Sequence, residues 1–345
     1  MTVIEYSAEW SNPMKVTMND IAKAAGVSRT TVSRVLSGKA VHQEETRQRI
    51  LKLAEEMNYS PDLLARAVKT KKTGNIGVIV HNEHDRQGVN SLHIPIVEAI
   101  LEEAKQNNYG SFVLTDGETE TPTVRTLIDR RVDGVILIST VGTSVLRRFQ
   151  ERQIPVVLVN NVSNHPEVPY IVFDEFQGVY EGVKRIIHNG HQRILYLGGP
   201  LTARWSLKRY EGYIAATTEL GLKPEPELIQ FGPSTYLTGY EKTKSLLSSG
   251  RFPSAVFAAS DMMAIGAMRA IYEAGLKIPD DIEIMGFDDI EAAALMIPAL
   301  STIYAPKAEM GVKAFQILNE LMAGRTDVSA ENVLPTKLMI RETCK

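Results

Sequence analysis

From Asn75 onward, short apolar runs alternate with amphipathic stretches long enough to form helices: IGVIV, FVLTD, GVILIS, PVVLVN, YIVFD, ILYLGGP, AVFAAS and IEIMGFDD. Runs of this length, rich in Val and Ile and bounded by turn residues, read as strands buried on both faces, and a helix between successive strands makes them parallel. The rhythm predicts an α/β body over residues 75–345, built as two doubly wound parallel sheets. Polar residues and prolines cluster between Asn160 and Val168, which places the first lobe at about 75–161 and the second at 162–300. Residues 301–322 are expected to return to the first lobe and residues 323–345 to the second. Ligands of such sheets bind beyond the carboxyl ends of the strands. Several runs end there in polar or glycine-rich turns: His81-Asn82, Asp116-Gly117, Gly198-Gly199-Pro200, Ser260-Asp261 and Asp288-Asp289.

The residues before Asn75 have another character. Met14 to Gly74 carries 12 Lys and Arg against 6 Asp and Glu, although the whole chain has a formal charge of -3. A basic head on an acidic body points to a polyanion as partner of the head alone. Thr17, with Asp20 three residues later, opens a helix that buries Ile21, Ala22 and Ala25 and stops at Gly26. Ser28 caps a second helix, SRTTVSRVL, which turns Val32, Val35 and Leu36 inward and Arg29, Thr30, Ser33 and Arg34 outward. Two helices joined by Ala25-Gly26-Val27 make a helix-turn-helix. Arginine can grip a guanine edge with two hydrogen bonds, and threonine offers a hydroxyl and a methyl, so Arg29 and Thr30 are expected to read bases, with Arg34 adding specificity. A third helix, from about Glu44 to Met57, is expected to bury Ile50, Leu51, Ala54 and Met57 and to leave Arg47, Arg49 and Lys52 for phosphates. A small structural module with solvated charges is the plainer reading of the same pattern.

The segment VTMNDIAKAAGVSRTTVSRVLSG, then TRQRILKLAEEMNYSPDLLARAV, GHQRILYLGGPL and SDMMAIGAMRAIYEAGLKIPDDIEIMGFDD, resembles the lactose-repressor/galactose-repressor (LacI/GalR) family of bacterial regulators from Val16 onward. The resemblance implies an all-α helix-turn-helix domain over 14–59, a hinge helix and linker over 60–74, and a body like the periplasmic binding proteins over 75–345. Residues 1–13 fall outside it and are expected to be a disordered extension, with Met14 as the natural start. It implies DNA contacts by Asn19, Ser28, Arg29, Thr30, Thr31, Ser33 and Arg34, and by the hinge residues Ala65, Arg66 and Val68, with Val68 wedged into the minor groove. It places Trp205, Arg209, Ser234, Asp261 and Asp288 around a small-molecule effector. Arg and Asp suit vicinal hydroxyls and Trp suits the face of a sugar ring, so a mono- or disaccharide is favoured. The plainer alternatives are a surface ion pair for Arg209 and a helix cap for Asp261.

The expected partners are a pseudo-palindromic DNA operator and a second copy of the chain, because a two-fold protein reads a two-fold site. Some members of the family answer to a phosphorylated carrier protein, which is the alternative to a sugar. An enzyme is not expected: GxSxG, GxxxxGK[ST], HExxH and a GxGxxG after the first strand are all missing. No cofactor is expected either, and His81, Glu83, His84 and Asp85, in a loop over 81–95 unlike that of relatives, fit no metal-ligand spacing. No apolar run approaches the roughly 20 residues that span a bilayer, and the acidic first residues do not form a secretory signal. With Cys344 as the one cysteine, a cytoplasmic protein is expected. The ending IRETCK carries no apolar heptads, so no coiled-coil tetramer is expected.

Overall fold

The computed structural model describes residues 16–36, 44–57, 59, 72–81, 89–116, 125–127, 132–138, 143–163, 165, 167–250 and 252–345. The chain divides after Thr73 into two units. In the first, Thr17 is extended, and its N–H and hydroxyl both donate to Asp20 Oδ2, at 2.8 and 2.7 Å, at the start of helix Met18–Ala25 (α1). Gly26 takes the left-handed conformation at φ 65°, which an L side chain resists, and so turns the chain out of α1. Ser28 Oγ accepts the Thr31 N–H at 3.1 Å and starts helix Arg29–Leu36 (α2). The third helix is Glu44–Glu56 (α3). Ile21, Val32, Val35 and Ile50, with Ala22, Ala25 and Ala54, form the core between them. One expected core residue lies elsewhere: Leu51 is 38% exposed, and Leu53 packs inward instead. At 3.6 residues per turn, Leu53, Ala54 and Met57 share the stripe of Ile50, and Leu51 points about a quarter-turn away from it.

The second unit holds two parallel sheets. In the larger, Asn75–His81 (β1), Gly110–Asp116 (β2), Gly134–Ile138 (β3), Val156–Val159 (β4), Tyr170–Phe173 (β5) and Glu331–Leu334 (β11) lie in the order β11-β5-β4-β3-β1-β2. In the smaller, Ile194–Gly198 (β6), Ile229–Phe231 (β7), Ala255–Ala258 (β8) and Glu283–Met285 (β9) lie in the order β7-β6-β8-β9. Thr302–Tyr304 (β10) and Lys337–Met339 (β12) form an antiparallel pair beside them.

The boundary between the lobes differs from the expected one. Residues 160–169 do not separate them; they join two neighbouring strands of one sheet, with Leu158 paired to Tyr170 and Val159 to Ile171. The chain first crosses at Asp174, between β5 and helix Glu175–His188 (α6). Glu331–Leu334 then pairs with the open edge of β5, so it extends the first lobe and not the second. The tail after it does belong to the second lobe, where the Ile284 N–H donates to Thr343 O at 2.9 Å. The loop misled because an edge strand can be completed from any distance along the chain, and local composition does not record which edge is open. Helix Lys307–Met322 (α11) does return to the first lobe, packing on helix Val89–Gln106 (α4) and on β3 and β4. Between these lie Thr143–Glu151 (α5), Arg204–Glu219 (α7), Tyr236–Ser248 (α8), Asp261–Glu273 (α9) and Glu291–Leu295 (α10). No described helix is long and apolar enough to cross a membrane.

Candidate effector site and DNA-facing helix

Gly198-Gly199-Pro200 ends β6, and the Trp205 indole lies directly over Gly199, where a Cβ would stand 2.2 Å from Cη2. One helical turn on, Arg209 points inward and is 3% exposed. Its guanidinium lies 3.6 Å from the centre of the Phe287 ring and 4.8 Å from that of Trp205. It donates to the Ala259 carbonyl at the end of β8 and, at 3.2 Å, to Asp288 Oδ1 beyond β9. Arg209 therefore ties together the ends of three neighbouring strands, and its plainer reading as a surface ion pair does not hold.

Asp288 and Asp289 both have positive φ, 113° and 52°, which side-chain-bearing residues adopt only when their surroundings hold them there. Here three cations from distant parts of the chain do so. Lys307, the first residue of α11, donates Nζ to the carbonyls of Asp288 and, at 3.0 Å, Asp289. Arg341 reaches Asp289 Oδ1 at 2.7 Å. Arg209 holds Asp288 itself. Burial raises the Asp288 carboxyl above its ordinary range against the pull of Arg209 and Lys307, and burial lowers the Lys307 amine.

Two expected site residues need comment. Asp261 is fully enclosed, its Oδ2 accepting the Ile290 N–H at 2.9 Å and its Oδ1 the Thr302 hydroxyl at 2.5 Å. Burial, with Asp288 nearby, raises this carboxyl well above its ordinary value. Both oxygens pin α9 to its neighbours, so Asp261 acts as a support there, and it is not the cap. The cap is the preceding residue: Ser260 Oγ accepts the Met263 N–H at 3.3 Å. Ser234, half-buried, donates its hydroxyl to Ser260 Oγ at 2.8 Å and so lies at the same end of β8. Trp205, Arg209 and Asp288 come together; Ser234 stands beside them. Sequence reasoning passed over Phe287 and Lys307 and named Ser260 only as part of a strand-end turn; Phe287 directly precedes the Asp288-Asp289 turn that it singled out.

In the first unit, Asn19, Arg29, Thr30 and Arg34 are exposed on α1 and α2, and Thr31 and Ser33 are half-exposed. Ser28 and Thr31 bond each other through their hydroxyls at 2.9 Å, which ties them to the turn at the start of α2. Ala65, Arg66 and Val68 lie outside the described residues, as do residues 82–88 of the expected 81–95 loop, whose residues 89–95 belong to α4.

The arrangement has close relatives. Residues 17–62 match the profile of the "Bacterial regulatory proteins, lacI family", and residues 183–344 that of the "Periplasmic binding protein-like domain". The HTH-type transcriptional repressor PurR of Pasteurella multocida is 33% identical over 337 residues, 95% of this chain and 98% of its own. Among solved structures, the lac repressor dimer bound to operator and the anti-inducer ONPF superposes with a TM-score of 0.82 at 30% identity, over 95% of this chain and 98% of that one. The transcriptional regulator CelR in complex with cellobiose superposes at 0.71 with 26% identity, over 95% of this chain and 99% of its own. Similarity that runs unbroken from the helix-turn-helix through both sheets leaves one conclusion: the chain belongs to the LacI family of bacterial regulatory proteins.

Proposed function

We propose that the chain is a cytoplasmic, sequence-specific transcriptional repressor whose affinity for a pseudo-palindromic operator is set by a mono- or disaccharide bound beside Arg209 and Asp288. The observation that carries this reading is the exposed polar face of α2, with Arg29, Thr30 and Arg34 turned away from a core that holds the helix in place. Arg29 and Thr30 read base edges, with Arg34, Asn19, Ser28, Thr31 and Ser33 beside them. Ala65, Arg66 and Val68 make the minor-groove contacts in this reading. Sugar binding alters the tilt of the lobes, and linkage then obliges the operator affinity to change.

Selecting bound duplexes from a random pool tests this, with an inverted repeat as the expected product. On the recovered duplex, Arg29→Ala is expected to cost about 1–3 kcal/mol at one base position and to leave discrimination elsewhere intact. Equal losses on operator and random DNA would remove Arg29 from base reading.

The reading also needs a second copy of the chain, and the second lobe offers a surface for one. Tyr272 is 74% and Ile297 94% exposed, at the rim of a cavity of about 740 Å³ also lined by Ile265, Met268, Ile278 and Met296. Apolar side chains grouped around a hollow mark association surfaces in soluble proteins. Ile297→Asp is expected to weaken self-association at least about 30-fold, the loss typical of a central anchor residue. Sedimentation equilibrium measures it, and an unchanged dimer would put the interface elsewhere.

A further inference from the structure

Beside Arg209 lies a carboxylate that the reading above leaves without a role. Glu175 opens α6 at the first crossing between the lobes, where α6 packs against α7 so closely that a Cβ on Gly212 would stand 2.5 Å from the Phe176 carbonyl. Glu175 is 1% exposed, yet its Oε1 has no hydrogen-bond partner among the described residues. Its Oε2 accepts from the Arg204 guanidinium at 3.5 Å. Three other buried polar atoms on the elements around Arg209 are also unpartnered: Arg209 Nε, Ser206 Oγ and the Tyr196 hydroxyl. A buried polar group without a partner costs about 1–3 kcal/mol, so several of them around one guanidinium are not a finished core. Each needs a partner that the described residues do not supply, a water or a bound molecule.

We propose that Glu175 is a second carboxylate anchor of the effector site, and that together with Asp288 it selects uncharged polyhydroxylated ligands over sugar acids and sugar phosphates. This rests on the sugar reading of the same site. The charge distribution supports it. Arg209 is held by Asp288, Arg341 by Asp289, Arg204 by Glu175, and Lys307 by two backbone carbonyls. Every one of these cations is already engaged within the protein. Asp288 meets Arg209 through Oδ1 alone, so its other oxygen and Glu175 Oε1 remain to accept hydrogen bonds. Ligand hydroxyls can donate to both. A ligand carboxylate or phosphate beside either acceptor would meet like charge, and the cations named above are already engaged. Burial raises the Glu175 carboxyl above its ordinary range, and Arg209 and Arg204 oppose that shift.

The test uses the full chain and matched pairs of probes that differ in one charged group: glucose against glucuronate and glucose 6-phosphate, and galactose against galacturonate. Binding is followed by calorimetric titration. The uncharged member of at least one pair is expected to bind at least about tenfold more tightly than its ionised counterpart, a modest value for a like-charge contact. Glu175→Gln keeps the shape, removes the charge and is expected to reduce that ratio severalfold, with its melting temperature confirming the fold. An ionised member that binds as well as the uncharged one would overturn the proposal and leave the sugar reading standing. So would a folded Glu175→Gln variant with an unchanged ratio, the result expected if water alone satisfies Oε1. Silence from every sugar, charged or not, would overturn the sugar reading and this proposal with it.

Discussion

Arg209→Ala is expected to lower the unfolding free energy by about 3–5 kcal/mol and to abolish the response to any ligand. The size follows from what remains: Asp288 stays buried with its one ionic hydrogen bond gone, and breaking a buried pair from one side costs far more than an exposed pair is worth. The loss should depend on pH. A buried carboxylate without its cation has a raised folded-state pKa, so it binds a proton more readily folded than unfolded. Its penalty is therefore absent below the ordinary value of 3.8 and grows as pH rises above it. Urea denaturation of parent and variant at pH 4.5 and 7.5 should show the smaller difference at the lower pH. Arg209→Lys should recover only part of the loss, because an ammonium cannot lie flat against Phe287 while donating to both Ala259 and Asp288. A loss below about 1 kcal/mol, the worth of a surface pair, would mean that the strand ends are not tied through this residue.

Ile50→Ala is expected to cost about 2–5 kcal/mol within the first unit and to abolish DNA binding while sugar binding is kept. Among the described residues, the core of that unit has four buried branched side chains, Ile21, Val32, Val35 and Ile50, with small alanines between them. A unit of that size has little stability in reserve, and deleting one such side chain removes both its transfer energy and the packing around the cavity left behind. The second unit has its own clusters and none of these residues. Calorimetric melting should show one transition shifted or missing and the other unmoved. A matching fall in the transition of the larger unit would contradict the division after Thr73.

The larger elements were legible because each carries its signal locally. All eight apolar runs are strands, and the helix-turn-helix declares itself through Thr17, Gly26 and Ser28, whose roles depend on neighbours within four residues. What was not legible is what depends on distant partners. β7, β10, β11 and β12 are three or four residues long, too short for an alternation such as Ile229-Gln230-Phe231 to stand out from a turn. The placement of β5 and β11 turns on which sheet edge is open. Within the site, Arg209 and Asp288 were recognisable from family likeness, but the convergence of Lys307 and Arg341 on the Asp288–Asp289 turn is a property of the folded chain alone. Asp261 and Ser260 show the limit sharply. They are adjacent polar residues at one strand end, and only burial reveals that the acid is a support and the serine the cap.

The central claim is that occupancy of the Arg209–Asp288 site changes the affinity of the chain for a particular DNA sequence. The most direct measurement titrates a labelled duplex, recovered by selection from a random pool, with the full chain at fixed salt, with and without the sugar that binds most tightly. The account predicts binding to that duplex many times tighter than to random DNA, weakening as salt rises, and shifted by the sugar in the parent but not in Arg209→Ala. Operator affinity that no bound sugar alters, at any concentration that saturates the site, would contradict it.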